Sequence, residues 1–182
     1  MQFYSREKLL NSILFFASKI KQISITQLMK FLSQLDYEHF KKTGTTVTGL
    51  TYYTYPQGDF SKDLNEEIKN MNTDLINYVD IKKIGKGDFD SIIFIPKKKF
   101  EEKYFTPRQL EILNNLIYIY KNSSATQMSK ASHEKSKPWE ITKLQKGMYE
   151  EIDFMSVIND PDFKEFIENE KNEKVIIEKA LN

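Results

Sequence analysis

Cysteine is absent from these 182 residues, which excludes disulfides and thiolate-held metals and fits a reducing compartment. No apolar run reaches the roughly 18 residues that a membrane span needs. The stretch Leu9–Ala17 (LLNSILFFA) has the greasiness of a signal segment. Asn11 and Ser12 interrupt it, however, and Ser18-Lys19-Ile20-Lys21 follows in place of a small-residue cleavage site. Charge of one sign is also missing. With 27 basic and 26 acidic side chains the net is +1, which withholds the usual electrostatic argument for generic nucleic-acid binding. The expectation is a soluble, cytoplasmic protein.

Catalytic signatures are missing too. There is no G-x-x-x-x-G-K-[ST] phosphate loop, no G-x-G-x-x-G, no H-E-x-x-H and no G-x-S-x-G. Gly85-Lys86-Gly87 is too short to cradle a phosphate and reads as a hairpin turn. Only two histidines are available. His39 is three residues from Asp36, and His133 precedes Glu134, so a meeting of the two segments would offer an Asp/His/His/Glu metal site. The competing reading, which is preferred, has both histidines hydrogen-bonded in or beside the core. No cofactor is implied, and the expectation is a protein that is not an enzyme.

What is present suffices for a core: 40% hydrophobic residues and 13% aromatic ones. Helix starts are marked by Ser24 with Gln27, Thr106-Pro107 with Gln109, and Ser124 with Gln127, each a capping box. The first helix is expected over Ser5–Lys21. A second, Ile25–Lys42, carries Leu28, Phe31, Leu32 and Leu35 at helical spacing and stops at Gly44. Ser61–Leu75 returns to that spacing. Strands are expected near 47–55, 78–84 and 89–95, the last two joined as a hairpin. The fold class is α+β, predominantly helical, with a small antiparallel sheet.

After Trp139 the composition turns acidic. Glu140–Asn182 holds eleven acidic and six basic side chains, a net of −5 against +6 for the rest. Residues 1–139 are expected to form the main domain. Residues 140–182 form a helical extension, with Asp160-Pro161 as helix start and docking at least to Ile167. Tyr52, Tyr53 and Tyr55 suit both sheet packing and recognition, and Trp139 suits a buried anchor. The order helix, short turn, helix, β-element also fits a winged helix-turn-helix. Thr26–Phe40 would then be the recognition helix, exposing Gln27, Lys30, Ser33, Gln34 and Glu38, a thin set for reading bases.

Two stretches carry a family resemblance. Leu28–Gly58, LMKFLSQLDYEHFKKTGTTVTGLTYYTYPQG, is a leucine-rich helix with an Asp near its end, then a Gly, a Val-Thr-Gly step and a Tyr-bearing strand ending at Gly. Ser123–Trp139 follows the helix that starts at Phe105-Thr106-Pro107-Arg108-Gln109-Leu110, and ends in Ser132-His133 and Pro138-Trp139. In this order they resemble the Panacea, or SocA-like antitoxin, domain, over roughly Lys8–Trp139. The signature positions are Asp36, Gly44, Gly49, Tyr53, Gly58, His133 and Trp139, as structural or partner-binding residues. Family members usually have Gly-Pro where this chain has Gly58-Asp59, so that turn is expected to differ. The resemblance implies an antitoxin that neutralises a cognate toxin by direct binding, in one branch by delivering it to a bacterial protease, with relatives in phages and mobile elements.

Overall fold

Side-chain caps set the helix starts. Ser24, Thr106 and Ser124 each accept from the backbone N–H three residues on, and Gln27, Gln109 and Gln127 reach back to the cap backbone. All three expected capping boxes are formed, each worth on the order of 1 kcal/mol. The computed structural model describes residues 2–71, 73–85, 91–134 and 137–180.

The elements run α1 (Gln2–Lys19), β1 (Ile23–Ser24), α2 (Ile25–Thr43), β2 (Tyr53–Tyr55), β3 (Gly58–Phe60), α3 (Lys62–Asn70), β4 (Val79–Ile84), β5 (Ser91–Pro96), α4 (Pro107–Tyr120), α5 (Ala125–Ser132), α6 (Pro138–Lys146) and α7 (Pro161–Ala180). Short 3-10 turns occupy Asp74–Asn77, Glu102–Tyr104 and Phe154–Val157. The fold is α+β and mostly helical, as expected.

Helix α2 is the axis of the molecule. Every residue from Leu28 to Tyr37 is buried, and the helix packs against α1, α4, α5, β1, β3 and β5. In α1 the run Leu9–Ala17 is buried without a break, Asn11 and Ser12 included. Asn11 is satisfied by donating to the Glu7 carbonyl and accepting from Glu101 N–H. Burial of α2 corrects the winged-helix picture. Lys30, Ser33 and Gln34, expected on an exposed recognition face, are 1%, 1% and 8% exposed, so this helix cannot enter a groove of DNA.

Two antiparallel sheets flank it. One has the order β1-β5-β4, with Ile81 opposite Phe94 and Ile23 also opposite Phe94 across β5. The β4–β5 pairing is as expected, while the connecting residues Lys86, Gly87 and Asp88, and Phe89 at the start of the expected strand, lie outside the described residues. The other sheet is β2-β3, with Tyr53 opposite Phe60 and Tyr55 opposite Gly58. Here the expected strand 47–55 is corrected: only Tyr53–Tyr55 is strand. The backbone before it is held by a buried carboxylate rather than a ladder, and β3 is a strand not anticipated. Likewise the helix expected over Ser61–Leu75 ends at Asn70, where Met71 turns to φ +48°.

The acidic tail lies against this body. Tyr149 and Ile152 donate to the carbonyls of Thr54 and Tyr52, and Thr54 N–H donates to Glu150, so residues 149–152 run along the free edge of β2. Phe40, Ile158 and Ile167 form a small separate cluster beneath α7. Among the described residues no helix is long and apolar enough to cross a membrane.

Candidate functional site

A helix buried all round must pair each polar side chain it carries. Asp36, fully buried on α2, does so with four donors from the segment that follows. Its carboxylate accepts from the backbone N–H of Val47 at 2.7 Å and Thr48 at 2.8 Å, from the Tyr52 hydroxyl at 2.8 Å, and from the Thr48 hydroxyl. Burial pushes the Asp36 carboxyl up to about 6, with the Thr48, Tyr52 and Val47 hydrogen bonds opposing the rise. Burial and the adjoining carboxylate push the Tyr52 phenol well above its usual range. With no access to solvent, Asp36 and Tyr52 act on the fold: they clamp residues 47–52 onto α2.

One turn back on the same helix, Lys30 and Ser33 hold β3. Lys30 Nζ donates to the Asp59 carbonyl at 2.8 Å, and Ser33 Oγ donates to the Asp59 carboxylate at 2.7 Å. Burial draws the Lys30 ammonium down to about 8, with the Asp59 charge opposing. Asp59 is therefore not a loose replacement for the family's proline. It fixes the β2–β3 turn to α2 through two buried hydrogen bonds. Gly58, at φ +98°, completes that turn in a conformation favouring glycine.

The second signature stretch closes on the same hairpin. Trp139, 3% exposed near the start of α6, donates its Nε1–H to the Tyr55 carbonyl at 3.2 Å. His133, at the end of α5, stacks on it with ring centroids 3.7 Å apart and planes 20° apart. Burial holds the His133 imidazole below its usual range, aided by Lys30. Ser129 Oγ donates to the Gln57 carbonyl at 2.6 Å, and Gln27 Nε2 donates to the Ser123 carbonyl at 3.1 Å. Tyr53 is half-buried on β2, with Lys62 Nζ 3.7 Å from the centre of its ring.

His39 faces elsewhere. Its Nδ1–H donates to the Thr45 carbonyl at 2.7 Å, and Nε2 accepts from Gln109, the capping residue of α4, at 3.3 Å. This pattern fixes the neutral Nδ1–H tautomer. Burial holds its pKa low, and Lys8, Arg108 and Lys42 add to the effect. Asp36 and His39 thus have separate hydrogen-bond partners, whereas His133 departs from the hydrogen-bonded role expected of it: it packs flat on Trp139 and its buried Nε2 has no hydrogen-bond partner. Among the described residues no group of three or more His, Cys, Asp or Glu could hold a metal.

Of the remaining signature glycines, Gly44 caps α2 at φ +70°. A Cβ there would lie 2.4 Å from Ile167 Cγ1 of α7. Gly49, at φ +73°, has Ser5 Cβ 3.5 Å from the corresponding point, an ordinary contact. Its requirement is conformational alone. The structure therefore brings Gly58, His133 and Trp139 together around the hairpin, sets Tyr53 on the same strand, and places Asp36, Gly44 and Gly49 along α2 and its exit. Lys30, Ser33, Asp59 and Gln109 belong to the same framework but were not singled out as site residues. The spacing of Lys30, Ser33 and Asp36, three apart on α2, is a signal for the first two, whereas nothing local points to Asp59 or Gln109.

A family model described as "Antitoxin SocA-like, Panacea domain" matches residues 28–140, more than half of the chain. The match begins on α2 rather than α1 and ends one residue past Trp139. No curated protein and no solved structure matches the chain significantly.

Proposed function

The chain belongs to the SocA-like antitoxin family with the Panacea domain, and we propose that it neutralises a cognate toxin by binding it directly, as the antitoxin of a toxin–antitoxin pair. The family match over residues 28–140 carries this reading. The buried polar framework around two of the signature residues, Asp36 and Trp139, supports it. Asp36, Thr48, Tyr52, Lys30, Asp59 and Trp139 spend their polar groups on one another and on backbone, which suits a rigid body offering an outer surface rather than a reaction centre. The role is binding rather than catalysis.

Co-expression with the adjoining open reading frame tests the proposal. That neighbour should arrest growth alone and be tolerated beside this protein, and the two should co-purify. A harmless neighbour, or one still lethal in the presence of this protein, would overturn the reading. Toxin lifetime in the rescued cells separates two routes: sequestration leaves it unchanged, and delivery to a bacterial protease shortens it.

A further inference from the structure

Helix α4 turns Ile112, Leu113 and Leu116 into the core, yet its last turn carries two apolar residues that the core does not use. Tyr118 is 87% exposed and Ile119 60%. Beside them a groove of about 240 Å³ opens between α4 and α2, with Ile112 and Leu116 along its floor and Ile119 on its wall.

The groove's rim carries both signs. Lys42 and Lys137 line it. Lys42, Lys8 and Arg108 all act electrostatically on His39, and none of the three forms an ion pair among the described residues. Of the carboxylates near the groove, Glu38 is paired with Lys41 at 3.1 Å and Glu134 acts on Tyr120 at its edge, while Lys137 Nζ also lies 4.9 Å from the Tyr37 ring centre. Arg108 is four residues before Ile112 and so shares its face of α4. It also sits in the first helical turn, where the helix dipole is positive and a cation is disfavoured. An unpaired cation in an unfavourable place, one turn from a groove of mixed apolar and polar lining, invites an anionic partner.

We propose that the α2–α4 groove is the surface that receives the toxin, taking an acidic segment of it with an apolar side chain inserted against Ile112, Leu116 and Ile119. This rests on the antitoxin reading and specifies where it acts. The chain's own acidic helix α7 is seated elsewhere, over Phe40 and Gly44, and leaves the groove open. A nucleic acid would satisfy the cations but leave the apolar wall without a partner.

The test measures binding of the purified product of the adjoining open reading frame to the full chain and to variants, alongside growth rescue. Ile119→Asp, Tyr118→Ala and the double variant Lys42→Glu/Arg108→Glu alter exposed side chains, and their melting curves serve as the folding check. Ile119→Asp and the charge reversal should each weaken binding about tenfold or more. The charge reversal should also flatten the salt dependence of association. Ile84→Asp and Lys83→Glu on β4 should leave binding unchanged. Folded groove variants that bind within about twofold of the parent, while the parent neutralises its toxin, would overturn the groove and leave the antitoxin reading standing. A parent that neither binds nor neutralises overturns both. Salt-sensitive DNA binding lost in the charge reversal would assign the surface to nucleic acid and overturn the proposal.

Discussion

The imidazole of His133 lies flat on the indole of Trp139, 3.7 Å between centroids, and that indole donates to the Tyr55 carbonyl. This stack joins the end of the second signature stretch to the hairpin that ends the first. Replacing Trp139 with Ala should cost about 3–5 kcal/mol in urea unfolding, as for a large buried ring. Trp139→Phe keeps a ring but strands the Tyr55 carbonyl, and should cost about 1–3 kcal/mol.

The Asp36 clamp makes a sharper forecast. Asp36→Asn keeps the shape but turns an amide N–H₂ toward donors, and should cost about 3 kcal/mol in the same assay. Hydrogen exchange localises the damage: the Val47 and Thr48 amides should lose protection before those of α4. Unchanged protection at those two amides would contradict the clamp.

Gly44 and Gly49 should behave differently although both have positive φ. Gly49→Ala meets only backbone strain and should cost about 1 kcal/mol. Gly44→Ala adds a collision with Ile167 and should cost more. In an Ile167→Ala background the cost of Gly44→Ala should fall back toward the Gly49→Ala value, a coupling that a double-mutant cycle measures directly.

Acidification pulls stability in two directions. His39 and His133 have folded pKa values below the ordinary 6.5, so the folded state binds fewer protons, and their contribution is present above 6.5 and is lost as pH falls from there through the lower folded values. Asp36 has a folded pKa raised from 3.8 to about 6, so its contribution is greatest below 3.8 and is lost as pH rises through 6. Melting temperature followed from pH 7.5 downward should therefore fall less in a His39→Gln/His133→Gln variant than in the parent. In an Asp36→Asn variant it should fall more, because the compensating gain is gone.

How much of this was legible in the residues depends on the range of each interaction. The helix starts at Ser24, Thr106 and Ser124 are set by partners three residues away, and all three were readable. The extent of α2 was readable for the same reason, from Ser24 to Gly44. Residues 47–52 misled because their β-rich composition fits a strand, whereas the donors of Val47 and Thr48 go to a carboxylate on the preceding helix. The Lys30–Asp59 contact and the Gln109–His39 contact were illegible. Each needs two elements to meet, and no local pattern announces that. His133 and Trp139 were each singled out through resemblance to a family, but the stacking of one ring on the other was not legible, because it too needs two elements to meet.

Residues 149–152, which lie beyond the family match, also carry a duty toward it. They satisfy the Thr54 N–H and the carbonyls of Tyr52 and Thr54. A fragment cut at Glu140 would bare that row of backbone groups along β2, beside Tyr53 and Tyr55. Bare strand margins recruit other strands, so the shortened chain should self-associate in solution where the full one stays dispersed. The family-matched stretch borrows its finished border from sequence that the family does not specify.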